Sequence, residues 1–448
     1  MNRRHFLNTS AAASLSFLGL QKYLDAAPTN SNPYGSLISD PDGILDLPKG
    51  FEYQILSRTG DLMNDGLRVP GVPDGMAAFP ADNGKVILVR NHEISYGSPE
   101  ISALANETTP VPDMLELAYG KENSVPCSGG TTNLVYDPAT KKVDKQFLSL
   151  AGTDRNCAGG AMPWGSWITC EEPADLTSPR GRQHGYCFEV KATDDGKLQK
   201  AVPLKALGRT RHEAVALDPK TGILYLTEDM NDGLFYRFIP DIKGDLSSGK
   251  LQALALNGRS SADLRNYTQS PKNLKVGRKL NASWIDLEDS DSPNNDLRIR
   301  GHKAGAARFA RGEGIIYTDG SFYICCTDGG PARKGQIFKL TPSSSSIRLD
   351  SLELFLQPDK NDLLTNGDNV CASPWGDLII CEDLCAPNKA ETPHVRGITP
   401  SGKIYTIARN AKDKSEFAGS CFSPDGSTLF VNMQGLGLTI AITGPWQG

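Results

Sequence analysis

Acidic residues follow several short apolar runs in this sequence. If those runs are equivalent strands of a repeated structure, their acidic ends meet at one place. Converging carboxylates repel one another and are costly to desolvate unless a cation lies between them. Calcium, which takes about six to eight oxygen ligands in flexible geometry, suits such a set, whereas separate solvated turn acids are the alternative. The run-ending segments are Asn91-His92-Glu93, Glu171-Glu172, Glu228-Asp229, Thr327-Asp328 and Glu382-Asp383.

Arg311 and Glu313 lie two residues apart in the segment Arg311-Gly312-Glu313-Gly314, a spacing that puts both side chains on one face of a strand. An arginine fork grips phosphate oxygens, while a neighbouring carboxylate holds a cation that polarises them. An ion pair with a purely structural role is the alternative for these two residues. Glu213, at the head of the apolar run 214–217, is a further candidate carboxylate.

Cys157 differs from most of the ten cysteines because polar and small residues flank it in Asn156-Cys157-Ala158-Gly159. Cysteines inside apolar runs, such as Cys170 and Cys325, are expected to be buried small hydrophobic residues. A thiolate is a soft ligand that suits iron, copper or zinc and not calcium. Near several carboxylates, Cys157 therefore indicates a mixed metal site; a free thiol or one half of a disulfide is the alternative.

A repeat positions these residues. The segments 163–172 and 374–383 agree at seven of ten positions when acid is matched with acid, which indicates repeated supersecondary units. Looser copies share the scheme of a turn glycine, a short apolar strand and polar residues. The six copies begin at Gly84, Gly165, Gly222, Gly320, Gly376 and Gly426.

Six copies predict an all-β fold, a six-bladed β-propeller, because blades packed around an axis leave few exposed sheet edges. An irregular β-sandwich is the alternative. The spacing between copies exceeds that of a minimal blade, so inserted loops are expected at 105–126 and 247–292. Acidic strand ends would then meet at the central channel.

Composition agrees with this fold class. The chain has 448 residues, 45 glycines, 29 prolines and 39% hydrophobic residues, which is typical of a turn-rich β protein with a large core. A formal charge of −5 gives no broad basic surface for nucleic acid. Six histidines argue against a histidine-rich zinc site.

The N-terminal segment Asn2-Arg3-Arg4-His5-Phe6-Leu7, followed by the apolar stretch 11–20, resembles a twin-arginine export signal. The apolar stretch is shorter than the ~20 residues that span a bilayer, so no permanent membrane anchor is expected. The sequence thus predicts a signal peptide over 1–27, a single propeller domain over 28–448, contact with the twin-arginine translocase during export, and a periplasmic or secreted protein.

Short motifs run through nearly the whole chain after this N-terminal segment. They include Pro73-Asp74-Gly75-Met76, Gly129-Gly130-Thr131-Thr132-Asn133, Asn156-Cys157-Ala158-Gly159-Gly160, His212-Glu213-Ala214, Thr227-Glu228-Asp229, Arg311-Gly312-Glu313-Gly314, Ser373-Pro374-Trp375-Gly376 and Glu416-Phe417-Ala418-Gly419. In this order they resemble the PhoX family of alkaline phosphatases. The resemblance implies a six-bladed propeller with a mixed cluster of Ca²⁺ and Fe³⁺ that hydrolyses phosphate monoesters and sometimes diesters.

The resemblance also implies roles for individual residues. Arg311 would hold the phosphate, and Cys157 would be the thiolate ligand of iron. The carboxylate ligands of the cluster would be Glu172, Glu213, Asp229, Glu313, Asp368 and Glu382.

The partner is then a small-molecule phosphoester, and a monomer is expected. Two other classes remain compatible with the residues alone. One is a calcium-dependent lactonase or arylesterase propeller, which needs no thiolate, and the other is a binding propeller without enzymatic activity.

Overall fold

The computed structural model describes residues 32–98, 100–103, 112–122, 125–173, 182–343 and 349–447. The predicted signal peptide lies outside these residues. Regular structure in the described part is almost entirely antiparallel strand, with two short α-helices, Pro112–Leu117 and Leu297–Ala304, and 3₁₀ turns at Asp82–Gly84 and Lys205–Leu207. The prediction of an all-β protein is therefore confirmed. None of the described helices has the length and apolarity that a bilayer crossing requires.

Two sheets come first along the chain. One contains β4 (Pro73–Pro80), β5 (Val86–His92), β8 (Gly129–Asp137) and β9 (Lys142–Thr153). The next contains β10 (Asn156–Met162), β11 (Ser166–Glu171) and β12 (Cys187–Lys191). A small hairpin, β6 (Lys121–Glu122) with β7 (Val125–Pro126), lies in the connection before β8.

A nine-stranded sheet follows. Its first half contains β13 (His212–Leu217), β14 (Leu224–Glu228), β15 (Phe235–Pro240), β16 (Gly249–Leu256) and β17 (Lys279–Asp286). Its second half contains β18 (Gly312–Thr318), β19 (Ser321–Cys326), β20 (Gln336–Thr341) and β21 (Asp350–Leu356). The halves meet because β17 pairs with both β16 and β21.

Two further sheets bring the two ends of the described chain together. One contains β22 (Gly367–Ala372), β23 (Leu378–Glu382), β24 (His394–Ile398) and β25 (Ile404–Asn410), extended by β2 (Leu45–Pro48) and β1 (Leu37–Ile38). The other contains β26 (Phe417–Phe422), β27 (Thr428–Met433), β28 (Leu438–Thr443) and β3 (Glu52–Arg58). Early strands thus complete late sheets.

Six strands, here called the inner strands, pack in a closed ring: β4 against β10, then β13, β18, β22 and β26, which contacts β4 again. The arrangement is propeller-like, as predicted. The sheets themselves are not six separate units, because β17 joins two halves into one nine-stranded sheet.

All six sequence copies form the strand that follows an inner strand, namely β5, β11, β14, β19, β23 and β27. Every residue of these strands is buried, which explains why they are continuous apolar runs rather than alternating ones. The expectation of an irregular loop over 247–292 is wrong, because this stretch contains β16 and β17. Of the other expected loop, 105–126, residues 105–111 and 123–124 lie outside the described residues.

Close packing between inner strands requires glycine at Gly160 of β10. A Cβ atom there would lie 2.0 Å from the carbonyl oxygen of Val215 on β13. We expect Gly160→Ala to lower the free energy of unfolding by about 1–3 kcal/mol, because one strand must move away from the other. Urea denaturation measures this loss. Ala161→Ser, at the adjacent exposed position, is the matched control and should change stability by less than about 0.5 kcal/mol.

Candidate metal centre

A β-bulge interrupts the pairing of every inner strand near its start. The register shifts lie between Pro73 and Met76, Asn156 and Gly159, His212 and Val215, Gly312 and Ile315, Gly367 and Val370, and Ala418 and Cys421. A bulge adds a residue to one strand and re-aims side chains. The first bulged residues in five of the six strands are Asp74, Cys157, Glu213, Glu313 and Asp368.

These five side chains meet at the centre of the ring, together with acids from nearby loops. Within each of four groups, one potential ligand atom per residue lies within 4.8 Å of the others. Glu213, Asp368 and Glu416 each belong to two groups, so the groups form one continuous cluster. The groups are Cys157, Glu172 and Glu213; Glu213, Glu313 and Asp368; Asp74, Glu93 and Glu416; and Asp368, Asp383 and Glu416.

Side chains of neighbouring sheets hold the bulged backbone in place. The Asn91 side-chain amide donates to the carbonyl oxygens of Cys157 and Ala158, both at 2.8 Å. In the same way, Thr227 Oγ1 donates to the carbonyl oxygen of Glu313 at 2.5 Å. Each bond joins the second strand of one sheet to the next inner strand, so the ligand positions are fixed by the ring as a whole.

The paired acids at strand ends divide into two kinds. Glu171 accepts hydrogen bonds from the backbone N–H groups of Asp154 and Gly185 and contacts His184 Nδ1 at 2.6 Å. Glu228 similarly accepts from the N–H of Leu234 and the hydroxyl of Tyr236. The first acid of a pair thus ties loops to its own sheet.

Glu382 is an acid of this first kind, and the structure does not bring it into the cluster. It accepts from the N–H of Thr365 at 3.0 Å, from that of His394 at 2.8 Å and from Arg396 Nε at 2.9 Å. Successive residues at a strand end point to opposite sides, so Asp383 takes the position in the cluster instead. Adjacent acids in the sequence gave no sign of which one faces inward.

Asp229 and Arg311 form a pair beside the cluster. Arg311 donates to both carboxylate oxygens of Asp229, at 2.9 and 3.0 Å, and to Glu313 Oε1 at 2.6 Å. Asp229, predicted as a metal ligand, lies outside the four groups among the described residues. Arg311 remains 22% exposed, so solvent reaches its side chain beside the cluster.

Burial and mutual repulsion dominate the electrostatics of the cluster. Burial, followed by the charge of Asp368, raises the pKa of Glu213 well above its usual range. Burial and neighbouring acids raise the pKa of Glu172 and of Asp368 to about 8 each. Burial also raises the pKa of the Cys157 thiol, with further contributions from Glu213 and Glu172. Such groups ionise fully only when a positive charge joins them.

This donor set fits bound cations. Asp74 is 4% exposed, and its Oδ1 atom has no hydrogen-bond partner among the described residues. A buried carboxylate oxygen without a partner is costly unless a cation or water satisfies it. Oxygen donors dominate the set, as calcium prefers, and the Cys157 sulfur adds one soft donor of the kind that binds iron.

Four cluster residues were not named as ligands from the sequence, although Glu93 and Asp383 belong to the acidic run ends that were expected to converge: Asp74, Glu93, Asp383 and Glu416. Asp74 and Glu416 lie in the matched motifs, and Glu93 ends a repeat copy. Their positions in these segments are the feature of the sequence that could have identified them as ligands. The predicted residues that the structure does bring together are Cys157, Glu172, Glu213, Glu313 and Asp368.

The fold and the site define a propeller-like protein with a cluster of carboxylates and one thiol inside the ring of inner strands. The family model described as alkaline phosphatase PhoX matches residues 32–437. The chain therefore belongs to the PhoX family of alkaline phosphatases, enzymes that hydrolyse phosphate esters. This family assignment argues against the two alternatives, a lactonase and a binding protein without activity.

One solved structure in particular agrees with the fold. The chain is similar to PhoX from Pseudomonas fluorescens, solved with vanadate, a transition-state analogue, at 18% identity and a TM-score of 0.67, over 93% of this chain and 98% of that one. A gluconolactonase from Xanthomonas campestris matches with 11% identity and a TM-score of 0.41, over 92% of this chain and 99% of that one. Among curated proteins, no significant match is found.

Proposed function

We propose that this PhoX-family enzyme hydrolyses phosphate monoesters, and diesters to a lesser extent, at the central cluster loaded with Ca²⁺ and Fe³⁺. The observation that carries this proposal is the placement of Cys157 within one ligand group of Glu172 and Glu213, in a ring of further buried carboxylates. A purely oxygen-lined site would suit calcium alone. The added thiol supports a second, softer metal.

We also infer that the fold is a six-bladed propeller in which two blades share β17. Six inner strands, six equivalent bulges and six second strands support this count. The nine-stranded sheet then corresponds to the blades β13 to β16 and β18 to β21, joined through β17.

The residues of the chain divide the work as follows. The metal cluster would be held by two sets of residues. The first set is Cys157, Glu172, Glu213, Glu313 and Asp368, and the second is Asp74, Glu93, Asp383 and Glu416. Bound cations of this kind supply Lewis-acid chemistry, neutralising charge on phosphoryl oxygens and activating water. Arg311, fixed by Asp229, would orient the phosphate with its planar fork.

Metal analysis tests this proposal. Protein purified under mild conditions should contain calcium and iron together and should release phosphate from p-nitrophenyl phosphate. Chelation should remove activity, and calcium plus iron should restore more of it than calcium alone. A protein with calcium but no iron at full activity would contradict the mixed cluster.

The metal-free protein should lose stability as pH rises. The pKa values of Glu172 and Asp368, raised to about 8, exceed those of the same groups in the unfolded chain. The folded state therefore binds protons more tightly, and the stability gained from protonation is lost as pH rises through about 8.

We expect the melting temperature of chelated protein to fall by about 5–10 °C between pH 5 and pH 9. Calcium should remove most of this fall, since the cation replaces the protons. Thermal scans at three pH values, with chelator or with calcium, measure the effect. If the melting temperature of the chelated protein stays constant or rises over this range, then repulsion between the ionised carboxylates of the cluster does not destabilise the folded state.

We further propose export by the twin-arginine translocase, supported by the N-terminal Arg3-Arg4 pair and apolar stretch. The translocase carries folded proteins, so the cluster would be loaded before export. Replacing both arginines with lysine should keep the protein in the cytoplasm, which fractionation of cells would measure.

A further inference from the structure

Three arginines repeat around the ring at equivalent positions. Arg155, Arg211 and Arg311 each stand two residues before a bulged ligand: Cys157, Glu213 and Glu313 respectively. The shared position is the residue directly before the first residue of an inner strand. The three guanidinium groups therefore lie on the same side of the ring, next to the cluster.

Each of these arginines binds an acid at the end of the strand that follows the preceding inner strand, namely β5, β11 or β14. Arg155 Nε donates to Glu93 at 2.7 Å, Arg211 Nη2 donates to Glu172, and Arg311 binds Asp229. The backbone repeats the pattern. The N–H of Glu172 donates to the carbonyl oxygen of Arg155 at 2.9 Å, and that of Asp229 donates to the carbonyl oxygen of Arg211 at 3.1 Å.

Arg211 is thus the counterpart of Arg311, one inner strand earlier in the ring. Asp229 connects them, since its backbone binds Arg211 and its side chain binds Arg311. β13 and β18 pack directly against each other, so the two arginines precede adjacent inner strands of the ring. Both side chains are 22% exposed, so solvent reaches both of them beside the cluster.

The hydrogen bonding of the two arginines differs. Arg311 makes three bonds to carboxylate oxygens of Asp229 and Glu313. Arg211 binds one carboxylate oxygen, of Glu172, while its Nη1 contacts only the thioether sulfur of Met230 at 3.7 Å. The Nε atom of Arg211 is buried and has no hydrogen-bond partner among the described residues.

We propose that Arg211 is a second phosphate-binding residue, which pairs with Arg311 to make the site prefer dianionic phosphate monoesters over monoanionic diesters. This inference rests on the proposed function. Glu172 also belongs to a candidate metal group, so a cation bound there competes with Arg211 for its carboxylate. The Arg211 guanidinium, which has one carboxylate partner in the protein, would then donate hydrogen bonds to the phosphate oxygens of the substrate.

The charge of the substrate explains the preference. Above pH 7 a phosphate monoester carries close to two negative charges and offers three terminal oxygens, whereas a diester carries one charge and offers two. Two arginine guanidinium groups match the charge and the terminal oxygens of the monoester, whereas the diester has too few terminal oxygens to bind both. Removing one charged hydrogen-bond donor therefore costs the monoester more than the diester.

The test compares Arg211→Met and Arg211→Lys with the unchanged enzyme, all loaded with calcium and iron. Binding of inorganic phosphate is measured by calorimetry, and kcat/KM is measured with p-nitrophenyl phosphate and bis(p-nitrophenyl) phosphate. Arg211→Met should weaken phosphate binding and monoester kcat/KM by about 10- to 100-fold and diester kcat/KM by less than about 3-fold. Arg211→Lys should recover part of the loss.

Arg333→Met is the matched control, because Arg333 also binds an acid at a strand end, Asp328, outside the metal groups. It should leave phosphate binding unchanged. Unchanged phosphate affinity in Arg211→Met, an equal loss with both esters, or a loss of metal content would each overturn the inference. If the unchanged, loaded enzyme neither binds phosphate nor hydrolyses the monoester, the proposed function itself fails.

Discussion

Replacing Glu213 with glutamine is expected to reduce phosphatase activity by at least about 1000-fold while leaving the protein folded. Glu213 belongs to two ligand groups, one with Cys157 and the other with Glu313 and Asp368, so its loss divides the cluster. The metal-free variant should be as stable as the unchanged protein or more so, because burial and neighbouring acids disfavour this charge. Metal analysis, activity and thermal scans of both forms measure the three effects.

Glu382→Gln is the matched control for Glu213→Gln. Glu382 binds Arg396 and His394 away from the cluster, so its neutralisation should lower the free energy of unfolding by about 2–3 kcal/mol, with or without metal. Metal content should stay the same. If Glu382→Gln instead loses metal without loss of metal-free stability, then Glu382 is a ligand, as the family resemblance implies.

Replacing Cys157 with serine should remove iron selectively. The Cys157 sulfur is the one soft donor in the four ligand groups of the described residues, and a serine hydroxyl is a poor substitute for a thiolate. We expect iron content to fall at least about fivefold, calcium content to change little, and kcat to fall about 100-fold or more. Metal analysis on the same preparation used for kinetics links the two losses.

Cys326→Ser serves as the comparison for Cys157→Ser. Cys326 is fully buried on β19 within an apolar cluster, and it belongs to none of the ligand groups. This variant should lose stability because it buries a hydroxyl, yet keep its iron. Full activity and unchanged iron in Cys157→Ser would remove the thiolate from the metal centre and leave a site of carboxylates alone.

The repeat shows how far local sequence can go. Continuous apolar runs such as Leu378–Glu382 predicted short strands, and their six copies predicted a propeller. Gly249–Leu256 and Lys279–Asp286 were missed because they lie inside a long polar insertion and obtain their stability from pairing across the joined sheets.

Site prediction failed where two acids adjoin. Glu382 and Asp383 are equivalent in charge and nearly so in size, and only the direction of the strand end decides which one reaches the cluster. Asp74 and Glu416 were overlooked for a related reason. Neither has a chemically distinctive neighbour, and both come to the centre through ring closure, in which β26 packs against β4.

The all-β class, the repeat, the acidic strand ends and one cysteine flanked by polar and small residues could all be predicted from the sequence. This was possible because strand patterns, turn glycines and residue chemistry are local properties. Which acids face the axis depends on the fold, because it requires a bulge in each inner strand and contacts between distant residues such as Asp74 and Glu416. The fold also buried Cys157 beside Glu213, which turned separate candidates into one centre.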